Sequence, residues 1–355
     1  MKDSFEWSVR DGNEEDMERI LSLREIVFGE TEKDRKDPRF WRWQFMEGPD
    51  GKAFIYVVEK EGRVIGHLAD HPRQFSIHGE LVSGVFHLEL MVHPEDWRKG
   101  IFHAMEKYSI QRMKKENKLL MTACTIRRES INGLKKVGWK AITEFPVLVY
   151  PIRFQGILNR YLHFSPLSFL LGGIARFFYT LFFWKKKGNE AGEIEVEEIS
   201  QLDNNFDPFW EKASSLFPLL GVRDRTFLNW RYLQHPTRRY IFYRMMNHGE
   251  MRGYIVLRKV DLLNFNSVVI VDLLALDEEA LIGLVAKGIE FAQEGGADLL
   301  GIMIPKEHPY EGLLRRKGFL PSLKTFSFLI YPHLHKAFLL LPEKWHFNWG
   351  DTDVL

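Results

Sequence analysis

The chain has 355 residues and a mass of 41.9 kDa, more than an average domain of about 100 to 200 residues, so two domains are expected. With 45% hydrophobic and 27% charged residues it has a globular composition, which excludes a disordered or collagen-like protein. A net charge of +1 supplies no overall attraction for phosphate backbones, so no nucleic-acid partner is expected. The single cysteine, Cys124, excludes an internal disulfide, and the first residues lack the apolar core of a signal peptide. We therefore expect a cytoplasmic protein.

The sequence contains an internal repeat. A shift of 187 residues aligns six positions with chemically similar ones: Asp37, Phe40, Trp43, Phe45, Pro49 and Gly66 with Asp224, Phe227, Trp230, Tyr232, Pro236 and Gly253. The shift falls to 183 where Glu89 meets Asp272, and to 180 where Gly138 meets Gly318. Two copies at this period indicate a duplicated domain rather than a solenoid. The predicted organisation is a first domain at 1–150, a hydrophobic linker at 151–190, a second domain at 191–340 and an aromatic-acidic tail at 341–355.

The first copy has the residue patterns of an α+β fold. Residues 7–9 form an opening strand, and apolar residues at helical spacing predict a helix over 17–27. Strand-like runs follow at 54–58 and 64–66, and the alternation over 81–92 suggests two more strands. The remaining predicted elements are a helix over 101–115, a strand over 119–123 and a short helix over 131–137. Each copy is thus predicted to be a mostly antiparallel central sheet flanked by helices, with a cleft beside the strand-helix-strand unit.

The stretch from Val92 to Phe102 predicts an anion-binding turn. It combines a strand end, the basic glycine-bearing sequence Trp97-Arg98-Lys99-Gly100 and a helix start. Backbone N–H groups at such a turn converge on an oxyanion, and the helix N-terminus adds about half a positive charge. A basic, solvated turn that merely begins a helix is the alternative.

Together with the acidic residue on the preceding strand, and with Arg127-Arg128-Glu129-Ser130 and Gly138-Trp139 after it, this stretch resembles the GNAT acyltransferase family over most of residues 5–150. The repeat extends the resemblance to 191–340 and implies a tandem GNAT protein. In that family a turn of the form Arg/Gln-x-x-Gly-x-Gly/Ala binds the pyrophosphate of acetyl-CoA. The resemblance therefore implies acetyl-CoA as acyl donor and a cofactor-binding set of Met91, Val92, Trp97, Arg98, Lys99, Gly100, Ile101 and Phe102.

The resemblance also implies catalytic roles. The backbone N–H of Val92 is where family members polarise the thioester carbonyl, and Ser130 lies where a polar residue often meets the departing sulfur. Strand alternation places Leu88, Leu90 and Val92 on one face and His87, Glu89 and Met91 on the other. Glu89 would then face the cleft as general base, with its pKa raised by burial. A structural Glu89 bonded to backbone, and a Ser130 that caps its helix, are the alternatives.

Three positions depart from the family pattern. Trp97 stands where the family prefers Arg or Gln, and Phe102 where it prefers a small residue. Leu134 leaves vacant the position at which many members carry a tyrosine as general acid. In the second copy, Asp277, Glu278 and Glu279 replace the basic glycine turn and should repel a pyrophosphate. Only the first copy is therefore expected to bind coenzyme A. No His or acid pair has the spacing of a zinc site, so no metal is expected.

The linker and the tail bear on possible partners. Residues 165–184 carry one charge and precede Lys185, Lys186 and Lys187. A membrane span would separate two copies of one fold, so the alternatives are a hydrophobic arm packed on the domains or peripheral membrane contact through 165–187. In the tail, Asp351 and Asp353 either bind a cationic acceptor amine or form a solvated end.

The sequence thus favours an acyl-CoA-dependent N-acyltransferase that acetylates an amine of a small molecule or peptide. A homodimer is left open. The alternatives are a non-catalytic GNAT-like binding protein, which Trp97 and Leu134 favour, and an aminoacyl-tRNA-dependent transferase of the peptidoglycan type, which the near-zero net charge opposes.

Overall fold

A computed structural model describes residues 6–29, 33–154, 157, 194–262, 264–333 and 336–352. Helices and a mostly antiparallel set of strands confirm the predicted α+β class. The expected linker of 151–190 lies outside the described residues except at 151–154 and 157, and so does the segment 165–187. Among the helices of the described ranges, none combines the length and the apolar character needed to cross a bilayer.

The first half of the chain contains six strands and four α-helices among its described residues. The strands are β1 Ser8–Asp11, β2 Phe54–Lys60, β3 Arg63–Ile77, β4 Glu80–Val92, β5 Leu120–Thr125 and β6 Lys140–Pro151. The helices are α1 Met17–Phe28, α2 Pro38–Met46, α3 Ile101–Lys115 and α4 Arg128–Lys136.

The second half repeats this order and adds two short strands. Its strands are β7 Ile194–Ile199, β8 Leu219–Gly221, β9 Ile241–Asn247, β10 Glu250–Leu262, β11 Phe265–Ala275, β12 Leu299–Met303, β13 Leu320–Pro332 and β14 Trp345–His346. Its described helices are α5 Phe206–Ser214, α6 Arg225–Leu228, α7 Glu278–Glu294 and α8 Pro309–Arg316. Two aspartates that the repeat aligns, Asp37 and Asp224, cap α2 and α6 through backbone N–H groups.

The chain divides into two compact units. The first comprises 1–143 with 234–238 and 327–341, and the second comprises 144–233, 239–326 and 342–355. We expected contiguous domains of 1–150 and 191–340. The structure differs because the last strand of each half completes the sheet of the other unit: residues 327–332 of β13 pair with β5, and residues 147–151 of β6 pair with β12.

Within the first unit the strand order is β1-β2-β3-β4-β5-β13. All neighbours are antiparallel except β4 and β5, which run parallel. Within the second unit the order is β7-β9-β10-β11-β12-β6, with β11 and β12 as the parallel pair. Each unit therefore has the same arrangement around one parallel pair.

A β-bulge recurs in both units next to that parallel pair. On β4, His67 faces Met91 and Ala69 faces Leu88, so two residues of β4 oppose one of β3. Glu89 lies in this bulge with a left-handed φ of 55°, which is uncommon for a residue other than glycine. In the second unit the register between β10 and β11 shifts beside Asp272, the residue that the repeat aligns with Glu89.

A buried polar network joins α3 to the sheet of the first unit. His87 contacts Asp70 through Nδ1 at 2.7 Å and Glu106 through Nε2 at 2.8 Å. Ser109 donates to Asp70 at 2.6 Å, and the indole of Trp139 donates to Glu106 at 3.0 Å. All five side chains are buried, so each polar group is satisfied by another member of the network rather than by water.

This network gives a test of what secures α3. Burial disfavours the charged imidazolium, but Glu106 and Asp70 outweigh burial and raise the pKa of His87 from 6.5 to about 10. The charged His87 therefore contributes its full stability below about pH 6.5, and that contribution is lost as the pH rises towards 10. We expect the stability advantage of wild type over His87→Gln to fall by on the order of 3 kcal/mol between about pH 6 and pH 9.5, measured by urea unfolding. A constant difference between the two proteins across this range would contradict the assignment.

Candidate functional site

The first unit contains an open strand edge. The parallel strands β4 and β5 pair only from Gly84↔Leu120 to Phe86↔Thr122, and they separate beyond that point. Near the end of β4, Val92 faces Gly66, and the next residue, His93, donates its N–H to the carbonyl of Ile65. In such a non-hydrogen-bonded pair the N–H and C=O of Val92 point away from β3. They therefore point to the side from which β5 has diverged.

A left-handed turn leads from this edge into α3. Arg98 has φ 66° and Gly100 has φ 80°, so both residues adopt a left-handed backbone conformation. Glycine at position 100 adopts it without steric cost. Gly100 is the N-cap of α3, makes no side-chain cap, and has nothing within 4 Å of where a Cβ would be. The first turn of α3 contains no acidic residue. No carboxylate of the first turn therefore competes for the first N–H groups of this 15-residue helix.

The side chains of the predicted cofactor set differ in what they can contact. Arg98 and Lys99 are exposed, and Lys99 pairs with Asp96 at 2.8 Å. Trp97 is 60% exposed, and its indole Nε1 donates to the carbonyl of Val92 at 2.9 Å. Ile101 is 1% exposed in the hydrophobic core, as is Met91, so neither side chain is available and only their backbone groups can meet a ligand.

Two of the departures from the family pattern have a structural explanation. The ring of Phe102 lies against α4 at Gly133, where a Cβ would come within 2.5 Å of it. Because Gly133 has no side chain, α4 provides the space for the Phe102 ring. Family members have a small residue at the position of Phe102 instead. Leu134 is 3% exposed and packs with Trp139 and Met113 in one core cluster. The Leu134 side chain is therefore part of the hydrophobic core.

Ser130 is the third residue of α4, whose N-cap is Arg127, so the alternative of a Ser130 cap is wrong. The residue that the repeat aligns with Ser130 in the second unit shows what a side chain at this position can contact. The shift of 180 that aligns Gly138 with Gly318 aligns Ser130 with Tyr310, and the shift of 183 aligns Val92 with Ala275. There the Tyr310 hydroxyl accepts from the Ala275 N–H at 2.9 Å and donates to the Ala275 carbonyl at 3.1 Å.

The backbone at these two positions matches. Ala275 faces Gly253, and the N–H of Leu276 bonds to the carbonyl of Arg252, just as in the first unit. A side chain at the position of Ser130 can thus reach the backbone at the position of Val92. In the first unit the shorter serine leaves that backbone free of such a contact from α4, whereas in the second unit the tyrosine occupies it.

The second unit is also closed to an anion. Asp277 caps α7 by accepting from the N–H of Ala280 at 2.8 Å, and Glu278 and Glu279 follow in the first turn. These three carboxylates stand where a phosphate would need the helix N–H groups. That only the first copy binds coenzyme A stays a prediction, for which these carboxylates supply a physical reason.

The tail residue Asp351 lies in the second unit rather than at a solvated end. Arg223 is fully buried and pairs with both Asp272 and Asp351, and Asn348 donates to Asp272 at 2.9 Å. The expectation that Asp351 forms a solvated end or binds an acceptor amine is therefore wrong, because its charge is already neutralised by Arg223. Asp353 lies outside the described residues.

The structure corrects the predicted orientation of Glu89. His87 contacts Glu106 on α3, whereas Glu89 pairs with Arg24 on α1. The two side chains therefore point to opposite faces of the sheet, although strict alternation predicted one face. The bulge at Glu89 adds a residue to the strand and so reverses the side-chain direction.

The predicted direction of the Glu89 pKa is also wrong. Its side chain is 4% exposed, and burial alone would raise the pKa. Arg24, His67 and Arg35 outweigh burial, however, and lower the pKa of Glu89 to about 2. Arg35 Nη1 lies 3.7 Å and His67 Nε2 lies 3.6 Å from the carboxylate. A carboxylate with this pKa is a weak proton acceptor near neutral pH.

Sequence reasoning missed the partners of these two strand residues. Arg24 lies on the buried face of α1 with Ile20 and Leu23, and Glu106 lies on the buried face of α3 with Met105. A charged residue on an otherwise apolar helix stripe was the signal that could have found them. Within the described ranges, no group of three or more His, Cys, Asp or Glu residues could hold a metal ion.

Comparison with known proteins identifies the fold. Residues 8–142 match the family model for the acetyltransferase (GNAT) domain. No curated protein matches the sequence at a significant level.

Solved structures of low identity share the fold over most of the chain. A GCN5-related N-acetyltransferase from Anabaena variabilis has a TM-score of 0.64 at 12% identity, covering 92% of this chain and 73% of that one. Saccharomyces cerevisiae N-myristoyltransferase with bound myristoyl-CoA has a TM-score of 0.61 at 10% identity, covering 93% and 84%. A tandem GNAT protein from the clavulanic acid biosynthesis pathway has a TM-score of 0.58 at 15% identity, covering 92% and 98%.

Residues 8–142 are therefore a GNAT domain, and the chain as a whole has the fold of tandem GNAT proteins. The predicted resemblance is confirmed at this level.

The role of Glu89 can be tested through stability. Glu89→Gln removes the negative charge that faces the buried guanidinium of Arg24, so we expect a loss of about 3–5 kcal/mol in the free energy of unfolding. Urea unfolding at neutral pH measures it. Glu80→Gln is the matched control on the same strand, where the exposed side chain should change stability by less than about 0.5 kcal/mol. An unaltered stability in Glu89→Gln, accompanied by loss of acyl transfer, would instead assign Glu89 to catalysis.

Proposed function

We propose that the protein is an acyl-CoA-dependent N-acyltransferase that transfers an acetyl group to an amine of a small molecule or peptide. The observation that carries the proposal is the open edge of β4 at Val92, which leads directly into the uncapped, acid-free N-terminus of α3. The GNAT domain match over the same residues supports it.

The turn from Arg98 to Phe102 would hold the pyrophosphate. The N–H groups that follow Gly100 supply donors and the positive end of the helix dipole, and the exposed Arg98 and Lys99 add charge. Ile101 and Phe102 contribute through their backbone, since their side chains are committed to packing. No acid of the first helical turn opposes the phosphates.

The N–H of Val92 would polarise the thioester carbonyl. It points to the diverged side of β4, where it can donate to an oxygen on which charge develops in the transition state. Ser130, on the helix whose equivalent residue reaches this backbone in the second unit, would stabilise the departing thiolate. As the neutral amine attacks the carbonyl carbon, the C–N bond forms, the C–S bond breaks, and the amine proton passes to solvent or to the thiolate.

Glu89 has a different part in this proposal from the one its sequence position suggested. Its low pKa and its ion pair with Arg24 suit a residue that fixes the bulge of β4, and so positions Val92, rather than one that accepts a proton. The acceptor amine must therefore lose its proton by another route, such as ordered water.

A non-catalytic coenzyme A-binding protein is the second candidate. The burial of Leu134 at the position of the family's tyrosine, and the low pKa of Glu89, favour it specifically. It shares the binding step with the first candidate and lacks only turnover.

Calorimetric titration with acetyl-CoA tests the binding step. We expect one molecule to bind per chain, since Tyr310 and Asp277 occupy the corresponding groups of the second unit. Gly100→Glu places a carboxylate at the phosphate turn and should weaken binding by more than about 100-fold, because a like charge and a bulky side chain now face the pyrophosphate.

Gly62→Glu is the matched control. Gly62 lies in the hairpin between β2 and β3 with φ 77° and has the same open surroundings, so the substitution introduces equal backbone strain and equal charge away from the site. Its affinity for acetyl-CoA should equal that of wild type. Equal loss in both variants, or no binding to the wild type, would overturn the assignment of the turn. Given binding, release of free thiol with a panel of amines separates an enzyme from a binding protein.

A further inference from the structure

The indole of Trp97 lies on the edge that an acyl-CoA arm needs. Its Nε1 donates to the Val92 carbonyl at 2.9 Å, and that carbonyl points to the side from which β5 has diverged. The N–H and C=O of Val92 are the last such pair on β4, because the strand ends there. One of the two backbone groups of Val92 is thus already bonded in the free protein.

The arm of an acyl-CoA has the chemistry to compete for that carbonyl. It is an extended chain with two amides before the thioester, and extended amide chains bind unpaired strand edges through alternating N–H and C=O groups. If the thioester oxygen takes the N–H of Val92, the natural acceptor for the nearby amide N–H of the arm is the carbonyl of the same residue. That acceptor is the one to which Trp97 donates.

The contact is also inexpensive to break. Trp97 is 60% exposed, and a single neutral hydrogen bond contributes about 0.5–1.5 kcal/mol. Trp97 stands between Asp96 and Arg98, and the left-handed φ of 66° at Arg98 marks the backbone turn just after it. The ring can therefore leave the carbonyl without disturbing the hydrophobic core.

We propose that Trp97 is a gate on the acyl-CoA arm, whose indole bonds to the Val92 carbonyl in the free protein and is displaced by an amide N–H of the arm on binding. The proposal rests on the proposed function, since it requires that acyl-CoA binds along β4. Trp97 is a positioning residue in this scheme and takes no part in bond making. It weakens the binding of ligands whose arm must displace it and leaves unaffected those that reach only the phosphate turn.

Two ligands and two variants test the gate. Acetyl-CoA carries the arm, whereas 3′-phospho-ADP carries the nucleotide and pyrophosphate without it. We expect Trp97→Phe, which keeps a ring and removes the N–H donor, to bind acetyl-CoA roughly 3- to 10-fold more tightly than wild type, because no hydrogen bond has to be broken. Its affinity for 3′-phospho-ADP should stay within about 2-fold of wild type. Trp97→Ala should tighten acetyl-CoA binding at least as much.

The outcomes separate this proposal from the proposed function. An unchanged ratio of the two affinities in Trp97→Phe, or weaker acetyl-CoA binding in both variants, overturns the gate and leaves the coenzyme site standing; weaker binding would make the ring a wall of the site. Failure of wild type to bind either ligand overturns the proposed function, and the gate with it. A change in tryptophan fluorescence on addition of acetyl-CoA to wild type that is missing in Trp97→Phe would support displacement of this side chain.

Discussion

The separation of β4 from β5 after Phe86 is the constraint on which the candidate site depends. Parallel strands that stay paired satisfy one another's backbone groups, whereas a strand that diverges leaves donors and acceptors to be bonded by something else. The buried pair of Glu89 and Arg24 holds the bulge on β4, and the bonds of His87 to Asp70 and Glu106 hold the strand to α3. Two charged networks on opposite faces of the sheet thus fix the position of one backbone edge.

The second unit contains the same scaffold with the edge occupied. Its bulge beside Asp272, its facing pair of Gly253 and Ala275 and its helix order repeat those of the first unit. A tyrosine hydroxyl replaces the missing strand, and an aspartate caps the helix that would meet an anion. The difference between an open and a closed site therefore lies in side chains, while the backbone that creates the edge is common to both.

The sequence predicted the features that depend on local pattern. The repeat, the α+β order and the turn at Gly100 followed from spacing, from alternation and from the resemblance to GNAT proteins. The bulge at Glu89 did not, because a single inserted residue reverses the side-chain direction without changing the composition of the strand. Nor did the pKa of Glu89, since it is set by Arg24 and His67, which are distant in sequence and adjacent only in the fold. The pairing of β6 with β12 and of β13 with β5 likewise depends on tertiary contacts, which no local sequence pattern encodes.

The conserved geometry of the two units also explains why Glu89 is better understood as part of the scaffold. Asp272 occupies the equivalent bulge in the second unit, where the edge is closed by Tyr310, and it too is paired with a buried arginine. In the closed unit the Tyr310 hydroxyl already bonds the backbone edge, so the pairing of Asp272 with Arg223 is explained by its place beside the bulge. The same pairing in the open unit therefore has a structural cause that is sufficient without catalysis. What distinguishes the open unit is instead the serine at position 130, the uncapped Gly100 and the indole of Trp97, which under the proposed function are the groups that meet the acyl donor.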